Sequence, residues 1–455
     1  MRKYAFFIVL TVLILTFMSG CAYQMGDGLL SLPNLPAEYE ELQKIYDGII
    51  GKGASFVSVT GGSNRQSVQL ADLNMDGENE VVSFFRNADG TISVYVHEKT
   101  EDTYREIGQF TGVGKNIRSV EYVSANELGE KAILISWELD ELSKTAMSVY
   151  MSTGETMEKV LDLEYVGYHI IDLDMDGRED IVAICRNMGE KVMTAYVYSF
   201  NDDSCTLKAS APMSLESDKV VNISSGLTAE GKKGVFVDSS TLEGQYVTDI
   251  FTCTDGVMMN ESIDSESGSA AVTGRYLNIY STDIDNDGIV EVPLGKMFKG
   301  YTDPLSSETR WMIMWSKIQK GKVVGAPVNT FYNAVDGWYM VLPEKWGDNV
   351  TAVINNGANV NTTTFFVPVQ NEDGSYTMVC DKENSILSVY TITGDTRERL
   401  SEYLDIKILK QTDTTVYAYK IYENQYDQYA VTSEDVLLLV KYVRNTDWNM
   451  EDFAQ

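Results

Sequence analysis

The sequence predicts a mainly β protein built on one repeated unit of about four strands, followed by a small α+β domain. Three observations lead there. A nine-residue acidic pattern occurs three times in one register, and weaker copies fill the gaps between them. Short β-branched and aromatic runs are bounded by turn residues, among 35 glycines in 455 residues.

The intact copies are Asp72-Leu-Asn74-Met-Asp76-Gly77-Glu78-Asn-Glu80 (loop 1), Asp172-Leu-Asp174-Met-Asp176-Gly177-Arg178-Glu-Asp180 (loop 2) and Asp283-Ile-Asp285-Asn-Asp287-Gly288-Ile289-Val-Glu291 (loop 3). Oxygen side chains at positions 1, 3 and 5 converge when such a loop curls, and glycine at position 6 permits the sharp turn. The backbone carbonyl of position 7 (Glu78, Arg178, Ile289) adds an oxygen, and the acid at position 9 closes the set. This donor mix suits Ca²⁺ better than the tighter octahedron of Mg²⁺. About three ions are expected, mainly as structural staples that neutralise clustered carboxylates and pin turns. An EF-hand is excluded, because position 12 is Ser83, Ala183 and Leu294 where a bidentate Glu is needed. The flanks read as strand–loop–strand.

Ser67–Val82 aligns with Ser119–Leu134, where Ser124 and Leu128 replace two of the acids. A fainter copy spans Val221–Val237, with Gly231 at the glycine position. Loop starts near 72, 124, 172, 226 and 283 give spacings of 52, 48, 54 and 57. Each unit has room for about four strands, the first being Val68–Ala71, Glu80–Arg86, Thr91–Glu98 and Tyr104–Phe110. Asn87–Gly90 makes the hairpin turn within it. This period is that of a β-propeller, here of about five to seven four-stranded blades.

At this point the chain resembles the FG-GAP and VCBS families of integrin α-chain heads and bacterial exported proteins. The resemblance covers roughly residues 55–325 and rests on the D-x-[DN]-x-D-G-x-x-[DE] loop, which all three intact copies match. It implies a cation loop between neighbouring strands of a blade. The expected domains are a signal peptide (1–20), a tether and short helix (21–50), the propeller (51–325) and an α+β domain (326–455).

Residues 1–21 form an address. Arg2 and Lys3 precede an apolar run from Tyr4 to Met18, and Met18-Ser19-Gly20-Cys21 resembles a bacterial lipobox. The resemblance implies cleavage before Cys21, its diacylation, and a chain held on the outer face of a bacterial membrane, expected to be a Gram-positive cell surface. A single transmembrane anchor is the other reading, but the run is short and no stop-transfer flank follows. Beyond it, Tyr39, Leu42 and Ile45 fall at roughly helical spacing.

The net charge of −31, from 36 basic and 67 acidic residues, argues against nucleic-acid binding and against a basic membrane-facing surface. The expected partners are the membrane, through Cys21, and an extracellular protein or glycan. Two histidines, His97 and His169, leave no imidazole-rich metal site. Cys185, Cys205, Cys253 and Cys380 form no CxxC pair. Buried free thiols are expected, with one disulfide, such as Cys185 to Cys205, as the alternative.

The C-terminal part reads as strands at Gly337–Pro343, Val350–Ile354, Thr363–Val369, Ser385–Ile392, Ile406–Lys410 and Thr415–Tyr422. Asp395–Glu398 resembles a capping box opening a helix with Leu400 and Leu404 inward, and Thr432–Val443 is a second helix. Tyr339, Leu342, Pro343 and Trp346 resemble a domain at the ends of some Gram-positive exported lipoproteins. Trp311, Trp315, Trp338 and Trp346 are expected in the core.

No nucleophile elbow, zinc helix or phosphate loop is present, and no catalytic residue is assigned. The first reading of function is a calcium-binding surface lipoprotein acting as a non-enzymatic ligand-binding or scaffold module. The alternative is an exported enzyme acting on polysaccharide or cell wall, with the propeller as its substrate platform.

Overall fold

The computed structural model describes residues 40–442, apart from 102, 140–143, 154–155, 187–188, 190, 202, 396, 400–405 and 424. Its architecture is mainly β, in antiparallel sheets that follow one another along the chain. The first sheet holds β1 (Ser55–Phe56), β2 (Val68–Ala71), β3 (Glu80–Arg86), β4 (Ile92–Lys99) and β5 (Tyr104–Thr111). The second holds β6 (Asn116–Ser124), β7 (Lys131–Glu138), β8 (Thr145–Ser152) and β9 (Met157–Tyr165). The third holds β10 (Gly167–Ile171), β11 (Asp180–Cys185), β12 (Thr194–Asn201) and β13 (Ser204–Pro212). The fourth holds β14 (Lys219–Leu227), β15 (Lys233–Ser240), β16 (Tyr246–Thr254) and β17 (Val257–Asn260). Each of these four sheets is a meander in sequence order, with β1 added beside β2 on the same edge of β3. The turn expected at Asn87–Gly90 closes the β3–β4 hairpin, with Gly90 at φ 87° donating to Asn87.

The units repeat in detail. A register shift falls between the third and fourth strands of the first three sheets, at Val96/His97, Val149/Tyr150 and Val197/Tyr198. One extra residue there bends the outer strand and increases its twist.

Successive sheets stack face to face, which explains the apolar runs of the second strands. Ile133, Ile135 and Trp137 of β7 pack towards Val82 and Phe84 of the first sheet. The alternate residues Ala132 and Leu134 pack towards Ile181 and Ala183 of the third. Val182 and Ile184 then meet Val235 and Val237 of the fourth, and Phe236 meets Val292 of the fifth. A strand buried on both faces loses the in-out alternation of a solvated sheet. The first strands differ. β10 is half-exposed along its whole length, and polar side chains bridge from one first strand to the next. Tyr122 donates to Gln69 at 2.8 Å, Ser119 and Tyr168 lie 3.0 Å apart, and Ser224 donates to the Ser281 carbonyl at 3.3 Å.

The helix α1 (Glu40–Ile50) closes the outer face of the first sheet. Leu42 and Tyr46, one turn apart, are buried against Val81, Phe85 and Tyr104. Tyr39, expected on that face, lies outside the described residues.

The fifth sheet holds β18 (Val292–Met297), β19 (Trp311–Gln319), β20 (Lys322–Asn333), β21 (Trp338–Val341) and, from the far C-terminal side, β29 (Val440–Tyr442). The domain boundary expected at residue 325 therefore falls inside β20, and Trp338–Val341 belongs to the repeat side of it. The sixth sheet runs β22 (Thr351–Asn356), β23 (Val360–Phe366), β26 (Ser385–Thr393), β28 (Thr415–Ile421), β27 (Lys407–Gln411). β24 (Val369–Gln370) and β25 (Tyr376–Thr377) form a separate ribbon. The expected helix from Thr432 is shorter than its apolar pattern. α2 (Ser433–Leu439) starts at a Thr432/Asp435 capping box and ends before Val440, which turns into β29 and pairs with Met340. An unpaired edge on β21 takes those residues as a strand, and sheet pairing overrides the helical period. Val443, Leu400 and Leu404 lie outside the described residues.

Trp315, Trp338 and Trp346 are buried as expected, whereas Trp311 is half-buried and stacks on Tyr276 with ring centroids 5.9 Å apart. The four cysteines are free, with Cys185, Cys205 and Cys253 buried. Among the described residues, no helix is long and apolar enough to cross a membrane.

Candidate metal centres

The three acidic loops share one backbone shape. Position 4 is left-handed in each, with φ of 60° at Met75, 62° at Met175 and 63° at Asn286, and the glycine at position 6 follows at 90°, 91° and 87°. Side chains rarely adopt such angles, and glycine adopts them freely. The N–H of position 7 donates to the carboxylate of position 5, from Glu78 to Asp76, Arg178 to Asp176 and Ile289 to Asp287, at 2.8, 2.9 and 2.8 Å. The N–H of position 2 donates to the acid of position 9, from Leu73 to Glu80, Leu173 to Asp180 and Ile284 to Glu291, at 2.7, 3.1 and 3.2 Å.

Position 9 stands where each loop enters the doubly buried strand, so its carboxyl is hidden. Glu80, Asp180 and Glu291 are 1%, 2% and 1% exposed. Burial raises all three above the usual carboxylate range, helped by the neighbouring acids of the loop, and Glu291 reaches about 7. The bond from position 2 opposes the rise in each, as does Ser199 at Asp180 and Lys317 at Glu291.

Positions 1, 3 and 9 are the ones that cluster. Carboxylate oxygens of Asp172, Asp174 and Asp180 lie within 4.8 Å of one another, and those of Asp283, Asp285 and Glu291 do the same. Loop 1 places Asn74 at position 3, where it pairs with Asp76. The sequence reading put position 5 in the same cluster. Instead Asp76, Asp176 and Asp287 cap the turn that follows them, and Arg178 and Lys317 hold the latter two at 3.3 and 2.6 Å. At position 7, the exposed Glu78 side chain lies 3.9 Å from Lys99, and Ile289 pairs with Leu227 in a neighbouring sheet.

The residues fit a hard divalent cation. Asp72 Oδ1, Asp172 Oδ1, Asp174 Oδ1 and Glu291 Oε1 are buried without a hydrogen-bond partner. Buried carboxylate oxygens are costly unless paired, and an oxygen-only set of this kind is what Ca²⁺ takes. Cys21 lies outside the described residues.

The decayed copies keep the turn with other bonds. Gly129 and Gly231 retain φ of 84° and 74°. In the copy at 124, the Asn126 side chain accepts from the N–H groups of Leu128 and Glu130 and donates to the Glu130 carboxylate. Loops of successive sheets also touch. Lys131 N–H donates to the Leu73 carbonyl, and Ser124 N–H to the Glu179 carboxylate. Leu227 and Ile289 are joined by a parallel bridge, in which the Val290 N–H donates to the Leu227 carbonyl at 2.9 Å. Gly226 is required there, because a Cβ would lie 2.4 Å from a Val290 methyl.

Sequence reasoning missed the lysines of these sites. Lys208 bonds Asp174, Lys233 donates to Asp172 at 3.0 Å, and Lys317 lies 3.5 Å from Glu291. They come from strands 26 to 61 residues away in the chain, with no local signal.

The histidines behave as strand residues. His97 is buried beside Tyr46 and Tyr95, and burial drops its pKa to about 4. His169 is half-buried, lowered by the same cause, and its Nε2 lies 2.8 Å from Ser225 Oγ. Among the described residues, clefts open elsewhere. One of about 640 Å³ lies between the fifth sheet and the β24–β25 ribbon, lined by Lys296, Phe298, Tyr301, Met312 and Tyr376, with Lys299 over the Tyr376 ring at 5.5 Å. Another, of about 870 Å³, includes Arg86, Asn116 and Glu138 between the first and second sheets. The four acids that burial raises lie in neither, being the three at position 9 and the wholly buried Asp249.

No protein-family model matches the chain, and no curated protein matches it in sequence. Among solved structures, it is similar to rhamnogalacturonan lyase YesW at 9% identity and a TM-score of 0.28, covering 82% of this chain and 93% of that one. The exotype rhamnogalacturonan lyase YesX gives 8% and 0.30, with 82% and 92% covered. A putative exo-β-1,3-galactanase of Bifidobacterium bifidum gives 14% and 0.22, with 62% and 93% covered. Likenesses this slight carry no argument about activity. The class defined by the fold is a mainly β protein of serial antiparallel sheets, with two acidic clusters of metal-binding composition.

Proposed function

We propose that this chain is a calcium-binding, lipid-anchored surface protein of the FG-GAP/VCBS kind, whose sheets are propeller blades and which acts as a ligand-binding or scaffold module without catalysis. The observation that carries the reading is the common geometry of the three loops. Loops 1 and 2 tie the first strand of a unit to its doubly buried second strand, loop 3 enters β18 from an isolated bridge between Thr282 and Glu291, and loops of neighbouring units are bonded together. An ion there neutralises carboxylates that burial penalises and locks adjacent blades. The half-exposed β10 and β14, with polar bonds joining β2, β6 and β10, suit the inner lining of a propeller. Cys21 tethers the body to the membrane, and a protein or glycan ligand is the expected partner. The cleft beneath Lys299 and Tyr376 has the size of a small-ligand pocket.

The test is thermal unfolding of residues 22–455 with calcium and with chelator, alongside metal counting by mass spectrometry. A ligand at 100 times its Kd stabilises by about 2.7 kcal/mol per site. About three bound ions and a large upward shift in melting temperature are expected. Neither metal nor shift would reduce the loops to acidic turns.

A further inference from the structure

Two of the three loops already hold ammonium groups supplied by the protein, and the loops differ sharply in how many. In loop 2, Lys208 of β13 bonds Asp174 and stands 4.0 Å from Asp176. Lys233 of β15, in the next sheet, bonds Asp172 at 3.0 Å, and Arg178 lies 3.3 Å from Asp176. Loop 3 has Lys317 alone, on Asp287 and Glu291. Loop 1 has only Lys99, at 3.9 Å from the exposed Glu78, which leaves Asp72, Asn74 and Glu80 without a cationic partner among the described residues.

Loops 1 and 3 carry four acids over their nine positions, and loop 2, with Glu179, carries five. One cation opposes them in loop 1 and in loop 3, and three oppose them in loop 2. The local charge is therefore −3, −2 and −3. The lysines hold the second oxygen of the same carboxylates whose first oxygen is left for an ion. Lys208 and Lys233 take Oδ2 of Asp174 and of Asp172, while Oδ1 of each is buried without a partner. A divalent cation on those Oδ1 atoms stands beside two ammonium charges bonded to the same carboxylates, so it competes for them with Lys208 and Lys233. They are able to leave, because Lys208 and Lys233 are 25% and 35% exposed and sit on long flexible stems.

We propose that loop 2 is a lysine-exchange site, filled last among the three, in which calcium displaces Lys208 and Lys233. This rests on the calcium reading of the loops. Loops 1 and 3 hold their ions at low calcium and maintain the fold. Loop 2 responds to a change in calcium by swapping one set of counter-charges for another. Because Lys233 belongs to the fourth sheet and Asp172 to the third, the exchange replaces a direct tie between neighbouring sheets with an ion. The third and fourth sheets are thus the pair whose contact depends on calcium concentration.

The experiment is calorimetric titration of metal-free residues 22–455 with calcium chloride at fixed ionic strength. The variants are Lys208→Met, Lys233→Met and Asp174→Asn, each checked for an unchanged circular dichroism spectrum. The wild-type chain is expected to show two tighter sites and one at least tenfold weaker. Each lysine variant tightens the weak site at least threefold, and Asp174→Asn removes that site alone. Lys208→Gln, which keeps a polar side chain, serves as a second variant and shifts the same site. Three equivalent sites, or lysine variants with wild-type isotherms, would overturn the exchange while leaving the calcium reading intact. Absence of calcium binding at all three loops would remove that reading and the exchange with it.

Discussion

Replacing Glu291 by glutamine should change stability in opposite directions with and without calcium. Its carboxyl is 1% exposed and burial holds it near 7, against about 4.3 for a free glutamate. The unfolded chain releases this proton near pH 4 and the folded chain only near 7. Between those values the folded state binds more protons, so stability falls as pH rises and levels off above about pH 7. A separation of 2 to 3 pKa units corresponds to roughly 3 kcal/mol at pH 7.5, as an upper figure for a site that Lys317 and the Ile284 N–H partly stabilise. Metal-free Glu291→Gln lacks this penalty. Its amide oxygen still accepts from Ile284, and Lys317 keeps Asp287. The variant should therefore melt above the wild type at pH 7.5 and match it at pH 4.5. In saturating calcium the order reverses, because the variant loses an anionic ligand. The assay is differential scanning calorimetry on resin-stripped and calcium-loaded protein at both pH values. A variant that loses the same stability in both forms, or leaves the pH slope of the metal-free protein unchanged, would refute the reasoning.

Other expectations separate turn, packing and ion. Gly226→Ala drives a Cβ to 2.4 Å from a Val290 methyl and should cost about 1–3 kcal/mol equally with and without calcium, measured by urea unfolding. Arg275→Met leaves Asp238 charged and wholly buried among Thr248, Ser281 and Asn222. A loss of about 3–5 kcal/mol is expected in the same assay, and a neutral result would mean that the polar neighbours suffice. Burial pushes the thiols of Cys185 and Cys205 up to about 11 and 12, so folded protein at pH 7.5 should resist a maleimide at both until denaturant is added. Rapid labelling of either by mass spectrometry would contradict the packing.

The repeating unit was legible because its signals are local. The four strands read around loop 1 agree with β2 to β5 within a residue or two at their ends. The loops announced their turn glycines, and the acids at positions 1, 3 and 9 come together as the spacing implies in loops 2 and 3. Position 5 stands apart from the cluster, since Asp serves equally well as a ligand or as the cap of the next N–H, and the sequence does not rank those uses. The lysines were invisible for a different reason, since they arrive from other strands and other sheets. The sixth sheet was read as strands but not as an order, because β28 inserts between β26 and β27. Val440 shows the same limit, as its side chain suits a helix face and a strand equally and an open edge decides between them.

Asn126 carries a consequence for how such a chain can change over time. Its side chain gives the copy at 124 the bonds that keep Leu128, Gly129 and Glu130 in the curled path, with no cluster of acids. Curvature and charge are therefore separable properties of each unit. A unit can shed its carboxylates one substitution at a time without unravelling, provided the glycine stays and an amide takes over the bonding. It can regain them by the same route in reverse. On the calcium reading proposed above, mineral dependence is in this sense an adjustable trait of individual units, and the five turns differ in how many acids they keep.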